Sequence, residues 1–232
     1  MNLQSHYATV KSSHMHYLEM GSGDPILFLH GIPMSSYMWR HVVPVLSENA
    51  RCIALDFIGM GKSDKPDIAY RVFDHIAYLD AFIDALQLKN ITLVLHGWGS
   101  VVGLDYARRH ENNIKAIACY ESHMRPPADW RQLSLPMQQF TSLLSNEKAA
   151  RRAIIDQNYL VEKMLPRVTI RALSEKDMAE YRAPFPTPES RKPLWQYMQD
   201  LPIGDAKNHD VVNLIRAYSD WLQTTTIPKL LL

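Results

Sequence analysis

The stretch Ile91-Thr92-Leu93-Val94-Leu95-His96-Gly97-Trp98-Gly99-Ser100-Val101-Val102-Gly103 constrains this chain more than any other. Its opening run, ITLVL, has the length and β-branched content of a buried parallel strand. Its continuation, SVVGLDYARRH, repeats Val101, Leu104 and Ala107 at helical spacing. A tight glycine-containing connection lies between them. Strand, sharp corner and helix make a nucleophile elbow, which holds one side chain on a strained turn at the top of an α/β sheet. Strand and helix backbones approach closely there, so the flanking residues must be small, and Gly99 and Ser100 meet that need. The register puts Gly97 in the nucleophile slot, where no side chain is available for attack.

The remaining pattern agrees with α/β architecture. His6–Val10 and His14–Met20 read as a hairpin around Lys11-Ser12-Ser13, and Gly21-Ser22-Gly23-Asp24-Pro25 as a turn. Buried strands follow at Ile26–Leu29, Arg51–Leu55 and Ile114–Tyr120. A helix is expected over Ser35–Leu46, where Tyr37, Val42 and Val45 suit helical spacing. Another is expected over Val72–Leu88, striped by Ile76, Leu79, Phe82, Ile83 and Leu86. Alternation of this kind after a hairpin predicts a mostly parallel sheet. From Ser122 to Pro202 strand signals vanish and prolines punctuate short helical runs. This segment is expected to be a helical cap over the C-terminal sheet edge, where open α/β sheets bind ligands. The expected division is core over 1–121, cap over 122–202 and core again over 203–232. Asp210–Thr224 reads as a helix and Ile227–Leu232 as the start of a strand. A closing parallel strand needs a covering helix, so the sequence is expected to lack the fold's last strand and helices.

Composition narrows the function. The formal net charge of +1 over 232 residues gives no electrostatic reason to expect a nucleic acid or an anionic membrane as partner. No run reaches membrane-spanning length, and the N-terminus lacks the apolar core of a signal peptide. Cys52 and Cys119 fall in predicted buried strands and read as free thiols of a reducing, cytoplasmic compartment. Gly59-Met60-Gly61-Lys62-Ser63 contains GKS without the upstream glycine spacing of a phosphate loop, and no CxxC or HExxH occurs. No metal and no cofactor are expected. Apolar and aromatic residues of the cap (Trp130, Met137, Phe140, Met164, Tyr181, Phe185, Trp195, Tyr197, Met198) are expected to divide between cap core and an apolar pocket.

Five segments, HGIPMSSYMWR, ALDFIGMGKSDKP, LVLHGWGSVVGLDYARRH, ACYESHMRPPADW and TIRALSEKDMAEYRAPF, closely resemble the haloalkane dehalogenases of the α/β-hydrolase fold. Marine luciferases that use coelenterazine share the framework. The resemblance runs from about His6 to the last residue. It implies an elbow aspartate that displaces halide and forms an alkyl-enzyme ester, and a histidine that activates water against that ester. It implies further an acid that orients this histidine, two side-chain N–H donors for the halide, and two backbone N–H groups for the oxyanion.

Carried over residue by residue, the resemblance makes Trp98 a halide donor and Glu121 the acid. Ile32 and Trp98 supply the oxyanion-hole N–H groups. Ile32 stands where many members carry a halide-binding asparagine, and its side chain cannot donate. Gly97 replaces the nucleophile, and the base histidine would fall beyond Leu232. Pro202, at the end of the cap, is expected at the substrate pocket. The implied partner is a small apolar substrate such as a haloalkane, taken by a monomer. His30 is expected to bond its own loop, His96 to point away from the pocket, and Asp56 to cap the Gly59–Gly61 loop. Ser100 is rejected as a nucleophile because Trp98 stands where its motif needs a small residue. Two other readings stay open: another α/β hydrolase (an epoxide hydrolase or esterase), and a small-molecule binder without turnover.

Overall fold

The computed structural model describes residues 3–126, 138, 142–202 and 209–232. Seven strands form one sheet in the order β1-β2-β4-β3-β5-β6-β7. They are β1 (Gln4–Val10), β2 (Ser13–Met20), β3 (Pro25–Leu29), β4 (Arg51–Leu55), β5 (Ile91–His96), β6 (Ile114–Tyr120) and β7 (Lys229–Leu231). The β1/β2 and β2/β4 pairings are antiparallel, and every pairing from β4 through β7 is parallel. The hairpin turns on Lys11 and Ser12, both at positive φ, which matches the right-handed twist of its strands. Leu27, Phe28 and Leu29 of β3 are wholly buried, as befits a central strand covered on both faces.

The expected helix over Ser35–Leu46 does not run continuously. A 3-10 turn, Ser36–Trp39, is followed by one helical turn, α1 (Val43–Leu46). Pro44 lies in the first turn of α1, where its missing N–H costs nothing, and it cannot continue a helix begun earlier. The buried side chains are Trp39 and Val43, whereas Val42 and Val45 face solvent. Helix α2 (Val72–Ala85) buries Leu79, Phe82 and Ile83 as expected and ends before Leu88, with Gln87 at positive φ. Helix α3 (Trp98–Arg109) is buried continuously from Trp98 to Ala107. Its glycines permit this approach. A Cβ at Gly99 would lie 2.5 Å from the Leu29 carbonyl oxygen, and one at Gly103 would lie 2.4 Å from Leu95 Cδ2.

Between 122 and 202 the described residues hold helices and no strand. These include α4 (Glu147–Arg151), the π-helical turns Arg152–Asp156 and Leu160–Met164, α5 (Leu165–Val168), α6 (Glu175–Arg182) and α7 (Lys192–Asp200). Trp130, Met137 and Phe140 lie outside the described residues. Tyr181, Phe185 and Met198 are buried within this layer. Several polar ties fasten it to the sheet domain, among them those of Asp177 and Asp200 and the exposed Lys192–Asp67 pair at 2.7 Å. Asp177 of α6 accepts from Tyr37 Oη at 2.9 Å and Arg40 Nη2 at 2.8 Å. Buried Asp200, closing α7, accepts from Val72 N at 2.7 Å and Arg71 Nε at 2.6 Å. Helix α8 (His209–Thr224) packs on α3 and leads to β7. Cys52 and Cys119 are buried free thiols. Among the described residues no helix is long and apolar enough to cross a membrane.

Candidate active site

Strand β5 ends at His96, and the chain turns at Gly97 into α3 with φ +52° and ψ −126°. Such φ values strain any residue with a Cβ, and glycine relieves the corner. Space for a side chain remains: a Cβ at position 97 would meet only the Gly31 Cα, at 3.2 Å, within 4 Å. Beyond it opens a cavity of about 480 Å³ between the sheet edge and the cap helices. The sheet side contributes Gly31, Ile32, Pro33, Met34, His96, Gly97, Trp98, Tyr120 and Glu121. The cap side contributes Met164, Leu165, Val168, Thr169, Ile170, Arg171, Tyr197, Met198 and Leu201. Volume and lining suit a small, weakly polar ligand.

Trp98 is buried at the cavity floor, with its ring edge-on to Tyr197 at 4.9 Å and to His123 at 5.8 Å. Burial pushes the His123 pKa down to about 4, so this ring is neutral near pH 7. As the first residue of α3, Trp98 has a backbone N–H with no intrahelical acceptor. Ile32 sits across the cavity in the turn closed by the Met34 N to Gly31 O bond of 3.0 Å. Ile32 and Trp98, the two residues expected to supply oxyanion donors, thus line one cavity at position 97. Pro202 is half-buried and is not among the lining residues; its neighbour Leu201 is.

Glu121 directly follows β6, at φ +47° with its side chain 70% exposed. Its Oε2 stands 3.2 Å from His96 Nε2. Contrary to the expectation from sequence, His96 lines the cavity. His96 is the last residue of β5, at the sheet edge where the cavity opens. Burial lowers the His96 pKa against the opposing pull of Glu121. The neutral ring has one consistent tautomer. Gly31 N–H donates to Nδ1 at 3.2 Å, so the proton sits on Nε2 and points at Glu121. Both ring nitrogens are therefore committed, and neither is free to serve as a base at position 97.

The other candidates stand where the sequence suggested. His30 donates from Nδ1 to Gly31 O at 2.8 Å and accepts from Phe57 N at 3.1 Å. Asp56 accepts from Lys62 N at 2.9 Å, which caps the glycine loop, and also from Ser36 N at 2.6 Å and His16 Nδ1 at 2.7 Å. Ser100 is fully buried; its hydroxyl donates to Gly97 O at 2.6 Å and accepts from His123 N at 2.8 Å. Among the described residues no cluster of potential metal ligands occurs. Sequence reasoning assigned no role to His123 or to the rim Val168–Arg171, although His123 and Thr169–Arg171 fall inside segments that carry the resemblance, because no residue there has an evident chemical part in the family reaction.

Similarity to known proteins agrees with this geometry. The family described as alpha/beta hydrolase fold matches residues 24–223. A haloalkane dehalogenase of Mesorhizobium japonicum is 40% identical over 225 residues, covering 96% of this chain and 72% of that protein. One from Sphingobium indicum is 39% identical over 230 residues, covering 97% and 77%. The crystal structure of a haloalkane dehalogenase from Bradyrhizobium elkani superposes with a TM-score of 0.93 at 38% identity, over 99% of this chain and 80% of that one. The chain therefore belongs to the haloalkane dehalogenase family of α/β hydrolases.

Proposed function

We propose that this chain keeps the ligand cavity of a haloalkane dehalogenase and has lost the chemistry. The observation that carries this reading is the absence of a side chain at position 97. In the family reaction a carboxylate there attacks the carbon in line, the C–X bond breaks, and an alkyl-enzyme ester forms. Glycine offers no atom for that bond. His96 does not replace it, because its nitrogens are engaged by Gly31 and Glu121.

The remaining groups support binding. The Trp98 ring is held by Tyr197 and His123 beside a mostly apolar lining, a setting in which an indole N–H can receive a halogen. The N–H groups of Ile32 and Trp98 face the same space in this reading, and Glu121 orients the ring of His96. The division into core 1–121, cap 122–202 and core 203–232 belongs to the same proposal. A binder of small apolar molecules without turnover is favoured by the same cavity. An esterase or epoxide hydrolase would need a nucleophile at 97 as well, so nothing favours either.

The test is equilibrium binding followed by tryptophan emission. A 1-bromoalkane should perturb Trp98, saturate at one site, and be recovered unchanged. Trp98→Phe should weaken binding and remove the optical response. Recovery of the alcohol would refute the reading.

A further inference from the structure

On the far side of the sheet from position 97 in strand order, at the edge formed by β1, three polar side chains form a continuous chain. Ser5 Oγ lies 2.8 Å from His16 Nε2, and His16 Nδ1 lies 2.7 Å from Asp56 Oδ2. His16 and Asp56 are each 1% exposed, while Ser5 faces solvent. We propose that Ser5, His16 and Asp56 form a nucleophilic site, separate from the elbow, in which Ser5 accepts an acyl group from aryl esters of small acids.

The arrangement satisfies what a serine nucleophile requires: a base within hydrogen-bond reach and a third group orienting that base. Proton positions follow from the partners. Burial acts to raise the Asp56 pKa, but the His16 hydrogen bond, the coupling to His30 and the N–H donors of Lys62 and Ser36 outweigh it, and the carboxyl stays ionised. A carboxylate only accepts, so the imidazole proton sits on Nδ1. Nε2 is then a lone pair aimed at the Ser5 hydroxyl. The base is locked in place on its other faces too, since His16 N donates to Ser63 Oγ at 2.9 Å and the Tyr7 ring stands edge-on at 5.2 Å.

Tyr7 also argues for the ligand class. It lies two residues from Ser5, on the same face of β1, and is 56% exposed. An aryl leaving group has a ring to pack on there. Oxyanion stabilisation is available from the strand itself, because alternate N–H groups of an edge strand point away from its single partner.

The step balances without a further reactant. Ser5 Oγ bonds to the ester carbonyl carbon while its proton moves to His16 Nε2. The tetrahedral adduct expels the aryloxide, which takes that proton and leaves as the phenol. Water then repeats the sequence on the acyl-serine, giving the acid and regenerating the hydroxyl.

The probe is p-nitrophenyl acetate, added to the 232-residue chain in native buffer and in urea. Acid quenching at short times and peptide mapping read the acetyl group on Ser5. Native Ser5 should be acetylated about a hundredfold or more faster than Ser5 of the unfolded chain, the scale of a positioned base. Ser5→Ala, an exposed change, should remove the fast phase of nitrophenolate release. His16→Gln should slow Ser5 acetylation by a comparable factor. Equal rates on Ser5 in the native and unfolded chains would overturn the proposal, as would an unchanged rate in folded His16→Gln. Should His16→Gln misfold, the comparison of native with unfolded chain still decides.

Discussion

His96 Nε2 and Glu121 Oε2 stand 3.2 Å apart at the head of the elbow, and His96 Nδ1 accepts the Gly31 N–H at 3.2 Å. A buried neutral imidazole thus joins β5, the Gly31 turn and the end of β6. Removing it should loosen all three. His96→Ala leaves the Gly31 N–H without its acceptor and opens a void, and should cost about 2–3 kcal/mol. Glu121→Gln can still accept from Nε2 and should cost under about 1 kcal/mol. Urea denaturation of the two variants checks the order.

The buried histidines set a pH dependence. Burial lowers the pKa of His30, His96 and His75, the last to about 3. The unfolded chain therefore binds protons below pH ~6.5 that the native state does not. Stability should be full above that value and fall as pH drops toward the lowered native pKa values, by up to about 1.4 kcal/mol per pH unit for each histidine. The carboxylates of Asp177, held at about 2 by Ser174 and Tyr37, and of Asp56 add their loss only at lower pH. Denaturation midpoints at pH 7.5, 6 and 5 should decline in order; a flat profile contradicts this.

The elbow glycines separate two kinds of constraint. Gly97→Ala adds a Cβ at φ +52° with only one near contact, and should cost about 1–2 kcal/mol. Gly99→Ala drives a Cβ onto the backbone carbonyls of Leu29 and His30, at 2.5 and 2.7 Å, and should cost at least about 3 kcal/mol or prevent folding. Thermal melts of the pair distinguish strain from collision.

The two carboxylates that hold Arg71 differ in burial. Asp200→Ala strands the buried Val72 N–H and one face of Arg71, and should cost about 2–4 kcal/mol. Asp210, half exposed and bonded to Arg71 Nη2 at 2.8 Å, should cost under about 1 kcal/mol on replacement by alanine. Equal losses would mean that burial is not what gives Asp200 its weight.

Much of the fold could be read because the central strands are short continuous apolar runs and the buried stripe of α2 repeats at helical spacing. The sharp corner between β5 and α3 was readable from Gly97 and Gly99, and the close approach of Gly99 to Leu29 and His30 explains why the latter glycine is small. The broken helix around Pro44 was not, since Tyr37, Val42 and Val45 mimic a stripe of which only Tyr37 packs against the core, while Val42 and Val45 face solvent. Nor was the direction of His96, which depends on a corner at positive φ. The Ser5–His16–Asp56 chain joins residues 11 and 40 apart in sequence, and only the pairing of β1, β2 and β4 brings them together.

In the proposed reading, position 97 withholds attack on carbon from this cavity. Halide release and intact mass, measured side by side after incubation with a 1-bromoalkane, test it directly. The unaltered chain should release no halide above background and gain no mass. Gly97→Asp, whose side chain has open space ahead of it, should release up to one equivalent of bromide and carry one alkyl group on residue 97. Repeated turnover by the unaltered chain would contradict the account, as would a folded Gly97→Asp protein that takes up no alkyl group.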